Sequence, residues 1–372
     1  MRGWIPRQLI CLCLTGVGVT FPGPAAEPVK PDKVDVAIAR AVAFLLTQQD
    51  PKEGSFNDKT RERNDNAMTA LALMAMASVG HLPTDKTKEG EGVRRGIDFL
   101  VRADRQTADG YYGAKDGSRM YGHGITTLAL TEMLGMGVDR AQEKLIRDRT
   151  QKAIELILRS QKAKKYDRKF DGGWRYQPDS GDSDLSATVW QLMALRSAKN
   201  AGLTVPKEAI DGAVAYLKRS YFSNRNAEGQ PLDLKSACAY MPGNGPEYAT
   251  AAAGLLSLQV CGEYEAPEVI GSAEWLREKT APNPVTRARK LDYNNQWFFY
   301  GTYYYAQGMQ KRGGEYAREA REFTEQTLLA RQNAEGSWVG NNQELGAGRV
   351  YTTALAILSL SVKFHYLPIY QH

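Results

Sequence analysis

Six times between Val34 and Pro368 an amphipathic segment closes on an apolar pair and is followed by a segment that is apolar or small nearly all round. The pairs are Phe44-Leu45, Phe99-Leu100, Leu156-Ile157, Tyr216-Leu217, Trp275-Leu276 and Thr327-Leu328, spaced 55, 57, 60, 59 and 52 residues apart. A lone helical hairpin of this kind cannot bury its apolar face, so each copy must pack on the next. First helices such as PKEAIDGAVAYLKRS, Pro206 to Ser220, open on proline or acid, close on basic residues and carry one apolar stripe, which leaves the other side for water. Second helices, such as those around Ala67 to Met74 and Thr353 to Leu358, have no polar face and must be buried. Six wet helices around six apolar ones predict an all-α fold: a closed (α/α)6 toroid of six helical hairpins, residues 34–372, in one domain.

With 42% hydrophobic and 24% charged residues over 372 positions, the chain has the usage of a globular protein with a large core, which excludes a disordered or membrane-filling class. Its net charge of +6 is evenly spread, so no nucleic-acid partner is expected. Met1 to Ala26 has the layout of a signal peptide: Arg2 and Arg7, an apolar run Leu9 to Leu14, then small residues through Ala25 and Ala26. Removal near Ala26 would leave a secreted or periplasmic chain that starts with a linker, residues 27–33. The run is shorter than the ~20 apolar residues of a span, so no stable membrane span is expected in the mature chain. Cys238 and Cys261 flank one predicted helix, ~20 Å apart at 1.5 Å per residue, beyond disulfide reach.

Arg40-Ala41, Phe44-Leu45 and Gln49, followed by Gly54-Ser55-Phe56, resemble the QW motif of the squalene cyclase and prenyltransferase repeat superfamily, with Phe56 in the Trp place. Leu328 and Gln332 with Gly336-Ser337-Trp338 match its second half, and Gln161 with Gly173-Trp174 matches over a longer loop. The second copy has Asp104 at the Gln place, and the fourth and fifth have Tyr221 and Thr280. Tyr121-Gly122-His123-Gly124, the GGWRYQP run and the ending Tyr366 to Tyr370 resemble secreted single-toroid proteins of planctomycete-type bacteria. Such a glutamine offers a donor and an acceptor to backbone groups left unpaired at helix ends. That role is structural.

Asp182-Ser183-Asp184-Leu185-Ser186-Ala187 resembles the DxDD-Thr-Ala signature of class II terpene cyclases, whose middle aspartic acid protonates an alkene or epoxide. The resemblance makes Asp184 the proton donor and Asp182 the first Asp, while Leu185 replaces the last. The alternative is that Asp182 or Ser183 caps a helix with Asp184 in its first turn. Between Tyr293 and Tyr305 lie eight aromatics, of which Tyr293, Trp297, Tyr300 and Tyr304 recur at helical spacing and are expected on one face. Such a face suits a cation, a sugar ring or plain core packing. His123 is expected near the start of an inner helix, as a general base or as a cap, with Asp65, Glu247 and Asp184 as possible partners. Arg349 and Tyr351 open the last inner helix at the same rim.

No Asp/Cys/His trio has zinc spacing, and neither metal nor cofactor is expected. Three functions remain open. They are a binding or scaffold toroid that takes a small hydrophobic or glycan ligand, or a protein, at its mouth; an acid-initiated isoprenoid cyclase or isomerase; and a carbohydrate-active toroid. The single toroid and the missing Asp put the binding module first.

Overall fold

The computed structural model describes residues 30–58, 64–284, 286, 289, 291–364 and 366–371. The signal-like stretch lies outside them. Twelve long helices alternate along the chain: α1 (Lys33–Thr47), α2 (Asp65–Ala77), α3 (Lys88–Leu100), α4 (Arg119–Glu132), α5 (Arg140–Gln161), α6 (Leu185–Asn200), α7 (Lys207–Arg219), α8 (Tyr248–Val260), α9 (Pro267–Thr280), α10 (Phe298–Arg312), α11 (Gly314–Leu329) and α12 (Gly348–Leu360). Even-numbered helices form the inner ring. Each packs on the next, and α12 packs back on α2, so the ring closes. Among the described residues there are isolated β-bridges and no named strand.

Polarity decides which helix goes inside. Every residue of α8, YATAAAGLLSLQV, is buried, whereas α3 buries Val93, Ile97 and Leu100 along one stripe and turns its charges outward. Outer helices start on caps: Asp32 and Asp35 form a capping box on α1, Thr87 caps α3 and Asp139 caps α5.

The repeated glutamine clasps neighbouring copies together. Gln49 Nε2 donates to Gly54 O in its own turn and to Gly92 O of α3, both at 2.9 Å. Gln161 does the same with Gly172 O and Ala209 O of α7. Gln332 reaches Gly336 O and, across the ring junction, Ala37 O of α1 at 2.8 Å. In the second copy the task falls to Gln106, bonded to Gly110 O and to Arg149 O of α5, and not to Asp104, which pairs with Arg102 and Arg105. The turn has room only for glycine: Gly336 has φ +100°, and a Cβ there would stand 2.3 Å from Arg40 O. Trp174 and Trp338, both fully buried, donate their indole N–H to Ile157 O and Leu328 O.

The inner-helix N-termini, with the long loops, form one mouth, here the upper one. The lower mouth is closed by the C-terminal segment. Leu367, Ile369 and Tyr370 are buried there, the Tyr370 hydroxyl bonds that of Tyr303, and Ile369 N donates to Glu132 at 3.1 Å.

Candidate functional site

A two-residue bridge sets the upper site. Asp184 N donates to Trp174 O at 3.0 Å, and Leu185 N donates to Tyr240 O at 2.9 Å. The third copy's turn and the fourth copy's loop thus hold Asp184 at the start of α6 in extended backbone, φ −127° and ψ 158°. Asp184 is itself the N-cap. Its Oδ1 accepts from Ala187 N at 2.8 Å and from the Ser186 hydroxyl at 2.7 Å. The expectation that Asp182 or Ser183 would cap fails, because the Ser183 hydroxyl turns back to Phe170 O and Asp182 pairs with Arg175 at 3.1 Å.

The second oxygen of Asp184 is buried and accepts no hydrogen bond. Arg175 Nε lies 3.4 Å from it. Burial pushes the Asp184 carboxyl above the usual range, against the lowering effect of Ser186, Ala187, Arg175 and the Tyr240 hydroxyl. Arg175 also lies over the rings of Tyr176 and Tyr240, at 4.7 and 5.7 Å, and those two hydroxyls bond each other. Tyr121 stacks on Tyr176 at 5.6 Å and bonds the Ser186 hydroxyl at 2.5 Å. Tyr300 donates from across the ring to Ser186 O at 3.1 Å. The result is a tyrosine-lined cup with one carboxyl in its wall.

Below the cup the centre is filled. Trp190 of α6 meets Tyr300, Tyr303 and Tyr304 of α10 at 6.2, 5.9 and 5.6 Å, although α8 packs between those helices.

Several expected site residues lie elsewhere. Tyr293 and Trp297 precede α10, so they do not share a helical face with Tyr300 and Tyr304. Trp297 is half-exposed at φ +56°, and Tyr293 bonds Val339 O. His123 is fully buried outside the cup: Nδ1 accepts from Tyr112 N at 3.3 Å and Nε2 meets Ala153 O at 3.1 Å. It holds the position that Thr69, Thr188 and Thr353 hold in other copies, each accepting from the aromatic of the turn. Burial lowers its pKa to about 4, so the ring is neutral and has no free nitrogen for base chemistry. Arg349 is exposed and faces Glu335 and Phe44, away from the cup. Glu247 is exposed at the start of α8 and makes no cap bond, while Asp65 accepts from Asn57. Tyr351 does reach the group, with its hydroxyl 3.4 Å from Glu344.

Arg175, Tyr176 and Tyr240 went unrecognised in the sequence. The first two stand in the GGWRYQP run, whose charge next to an aromatic was the available signal. Two buried acids were also missed. Asp116 accepts from Asn66 N and Ala67 N at the head of α2, and Glu344 from Phe299 N and Tyr300 N at the head of α10. Both lie in one-turn helices far along the chain from the amides they serve. Among the described residues no group of His, Cys, Asp and Glu could hold a metal ion, and no helix is long and apolar enough to cross a membrane.

No family model matches the chain. Drimenyl diphosphate synthase of Streptomyces showdoensis is 28% identical over 189 residues, which is 50% of this chain and 31% of that protein's length. Among solved structures, the α-1,6-mannanase GH76A of Salegentibacter sp. HEL1_6 superposes with TM-score 0.59 at 11% identity, covering 89% of this chain and 99% of that one. The type II terpene cyclase MstE from Scytonema superposes with TM-score 0.56 at 16% identity, covering 91% and 100%. The architecture is thus a terpene cyclase-like α/α toroid, one shared with glycosidases.

Proposed function

We propose that this toroid carries out acid-initiated chemistry on an isoprenoid bound in the upper cup, with the Asp184 carboxyl as proton donor. One observation carries the reading: Oδ1 is held as an acceptor by Ser186 and Ala187, while buried Oδ2 accepts no hydrogen bond beside a wall of tyrosines. A neutral carboxyl so arranged keeps its proton on Oδ2. Protonating an alkene needs such a neutral acid in a dry place, and burial supplies it. Arg175 opposes this at 3.4 Å, but Asp182 stands 3.1 Å from the same guanidinium and can hold it when a ligand enters. The faces of Tyr121, Tyr176 and Tyr300 then stabilise the cation. Leu185 leaves no third aspartic acid, and the Tyr240 hydroxyl is the polar group left facing the donor.

Chain length no longer argues for a binding module. MstE, matched over its full length by this single toroid, is a type II terpene cyclase and has been seen with geranylgeranyl dihydroxybenzoate. The mannanase neighbour has been seen with α-1,6-mannotriose. A sugar-cleaving reading has less support in this chain, since a hydrolase needs two carboxylates facing across an open groove. Here Glu247 is turned to solvent, Asp65 is taken by Asn57, and Asp182 shares one arginine with Asp184. Export belongs to the same proposal and rests on Met1 to Ala26 alone.

The test is incubation of wild type and Asp184→Asn with polyprenyl alcohols and with oligosaccharides. Conversion of a polyprenyl alcohol that falls at least about 100-fold in the variant is the expected result. Ligand binding without conversion would return the protein to the binding modules, and cleavage of an oligosaccharide would favour the glycosidase reading.

A further inference from the structure

The ring centre holds polar atoms that the proposed acid chemistry has not yet used. The Trp190 indole N–H and the Tyr304 hydroxyl are fully buried and bond no protein group. Both belong to the aromatic cluster around Tyr300, whose own hydroxyl donates to Ser186 O at 3.1 Å. Ring packing does not require these polar atoms. Phenylalanine would stabilise a cation without them, and the same helix carries Phe298 and Phe299. A buried donor without a partner is disfavoured unless something pairs with it.

Their depth is fixed by helix register. Trp190 follows Ser186 by four residues on α6, and Tyr304 follows Tyr300 by four on α10. Each therefore lies one turn, about 6 Å, below the level of the acid. An indole N–H beside a phenol hydroxyl complements a single oxygen atom that accepts from the first and exchanges a hydrogen bond with the second.

We infer that Trp190 and Tyr304 hold one water molecule beneath the cup, and that this water ends the reaction by capturing the cation, so that the product is an isoprenoid alcohol. The inference rests on the acid-initiated reading. In the first step the π electrons of the alkene form a C–H bond with the proton of Asp184 Oδ2, leaving a carboxylate and a carbocation. The held water, approaching from below while the acid stands above, then forms a C–O bond through its lone pair. The extra proton of the resulting oxonium returns to the Asp184 carboxylate and restores the acid. Net, one water adds across one double bond, and no other reactant is consumed.

The experiment uses the full chain with farnesol and geranylgeraniol in water enriched in the heavy oxygen isotope, with products resolved by mass spectrometry. Wild type is expected to give mainly alcohols with a newly introduced hydroxyl carrying the label. Tyr304→Phe removes only the hydroxyl and should lower the ratio of hydrated to dehydrated product by about fivefold to tenfold, with substrate consumption and melting temperature little changed. Trp190→Phe should move the ratio the same way, which guards against misfolding of either variant. A purely structural role would not move this ratio. Wild type that consumes substrate but forms only alkenes overturns the inference and leaves the acid reading standing, as does an unchanged ratio in both variants. Wild type that consumes neither probe overturns the reading and the inference together.

Discussion

Asp184 and His123 show how much a side chain's neighbours decide. Both were expected at the head of an inner helix, and both are fully buried there. Asp184 keeps one oxygen unbonded beside the cup, while both His123 nitrogens are occupied by backbone, one accepting from Tyr112 N and one facing Ala153 O. The histidine is therefore a stability element with a pH signature. Its pKa falls from the ordinary 6.5 to about 4 through burial, so the folded state disfavours the proton that the unfolded chain accepts. The stabilisation is complete above about pH 6.5 and is lost as pH falls towards 4, up to about 3 kcal/mol. Denaturant unfolding across that window should show the slope in wild type and not in His123→Thr, which keeps an acceptor for Tyr112 N as other copies do.

Helix-to-helix clasps carry the repeat from element to element. Each glutamine satisfies one carbonyl in its own turn and one on the next outer helix, so its loss strands two acceptors at a packed junction. The second copy separates motif from function, because Asp104 occupies the aligned place and Gln106 makes the bonds. Gln106→Ala should cost about 2 kcal/mol in urea unfolding, and Asp104→Ala less than about 0.5 kcal/mol, since the pairs of Asp104 with Arg102 and Arg105 are at the surface. The reverse order would mean that the clasp does not hold the copies. Gln106 was hidden because a two-residue insertion shifts it out of alignment while the loop returns its amide to the same point in space.

At the scale of the whole ring, the C-terminal segment matters most. It seals the lower mouth through Ile369 N on Glu132, the paired hydroxyls of Tyr370 and Tyr303, and Lys311 Nζ 3.4 Å from Tyr370 O. Glu132 is fully buried, accepts also from Ser197, and has its pKa raised from 4.5 to about 7 by burial. A raised carboxyl stabilises the fold when protonated, so its contribution is full below about 4.5 and is lost as pH rises through about 7. Hydrogen exchange at the Ile369 and Tyr370 amides should therefore quicken relative to the rest of the ring above about pH 7, beyond the intrinsic rate. Glu132→Gln should flatten that dependence. Equal behaviour of wild type and variant would show that the segment is held without the carboxyl.

The sequence by itself determined the six hairpins, which helices go inside, and the turn that joins each pair. All of these follow from local periodicity and from polarity, which each segment carries within itself. It also marked Asp184, through a motif of adjacent residues. Tertiary structure alone decided what surrounds that carboxyl. Arg175, Tyr121, Tyr240 and Tyr300 come from four different loops or helices and meet only because the ring closes. The same closure placed Tyr293, Trp297 and Arg349 outside the cup. A pattern can say that a face is apolar, but which faces meet across a ring depends on the summed rotation of six hairpins, and no single segment contains that sum.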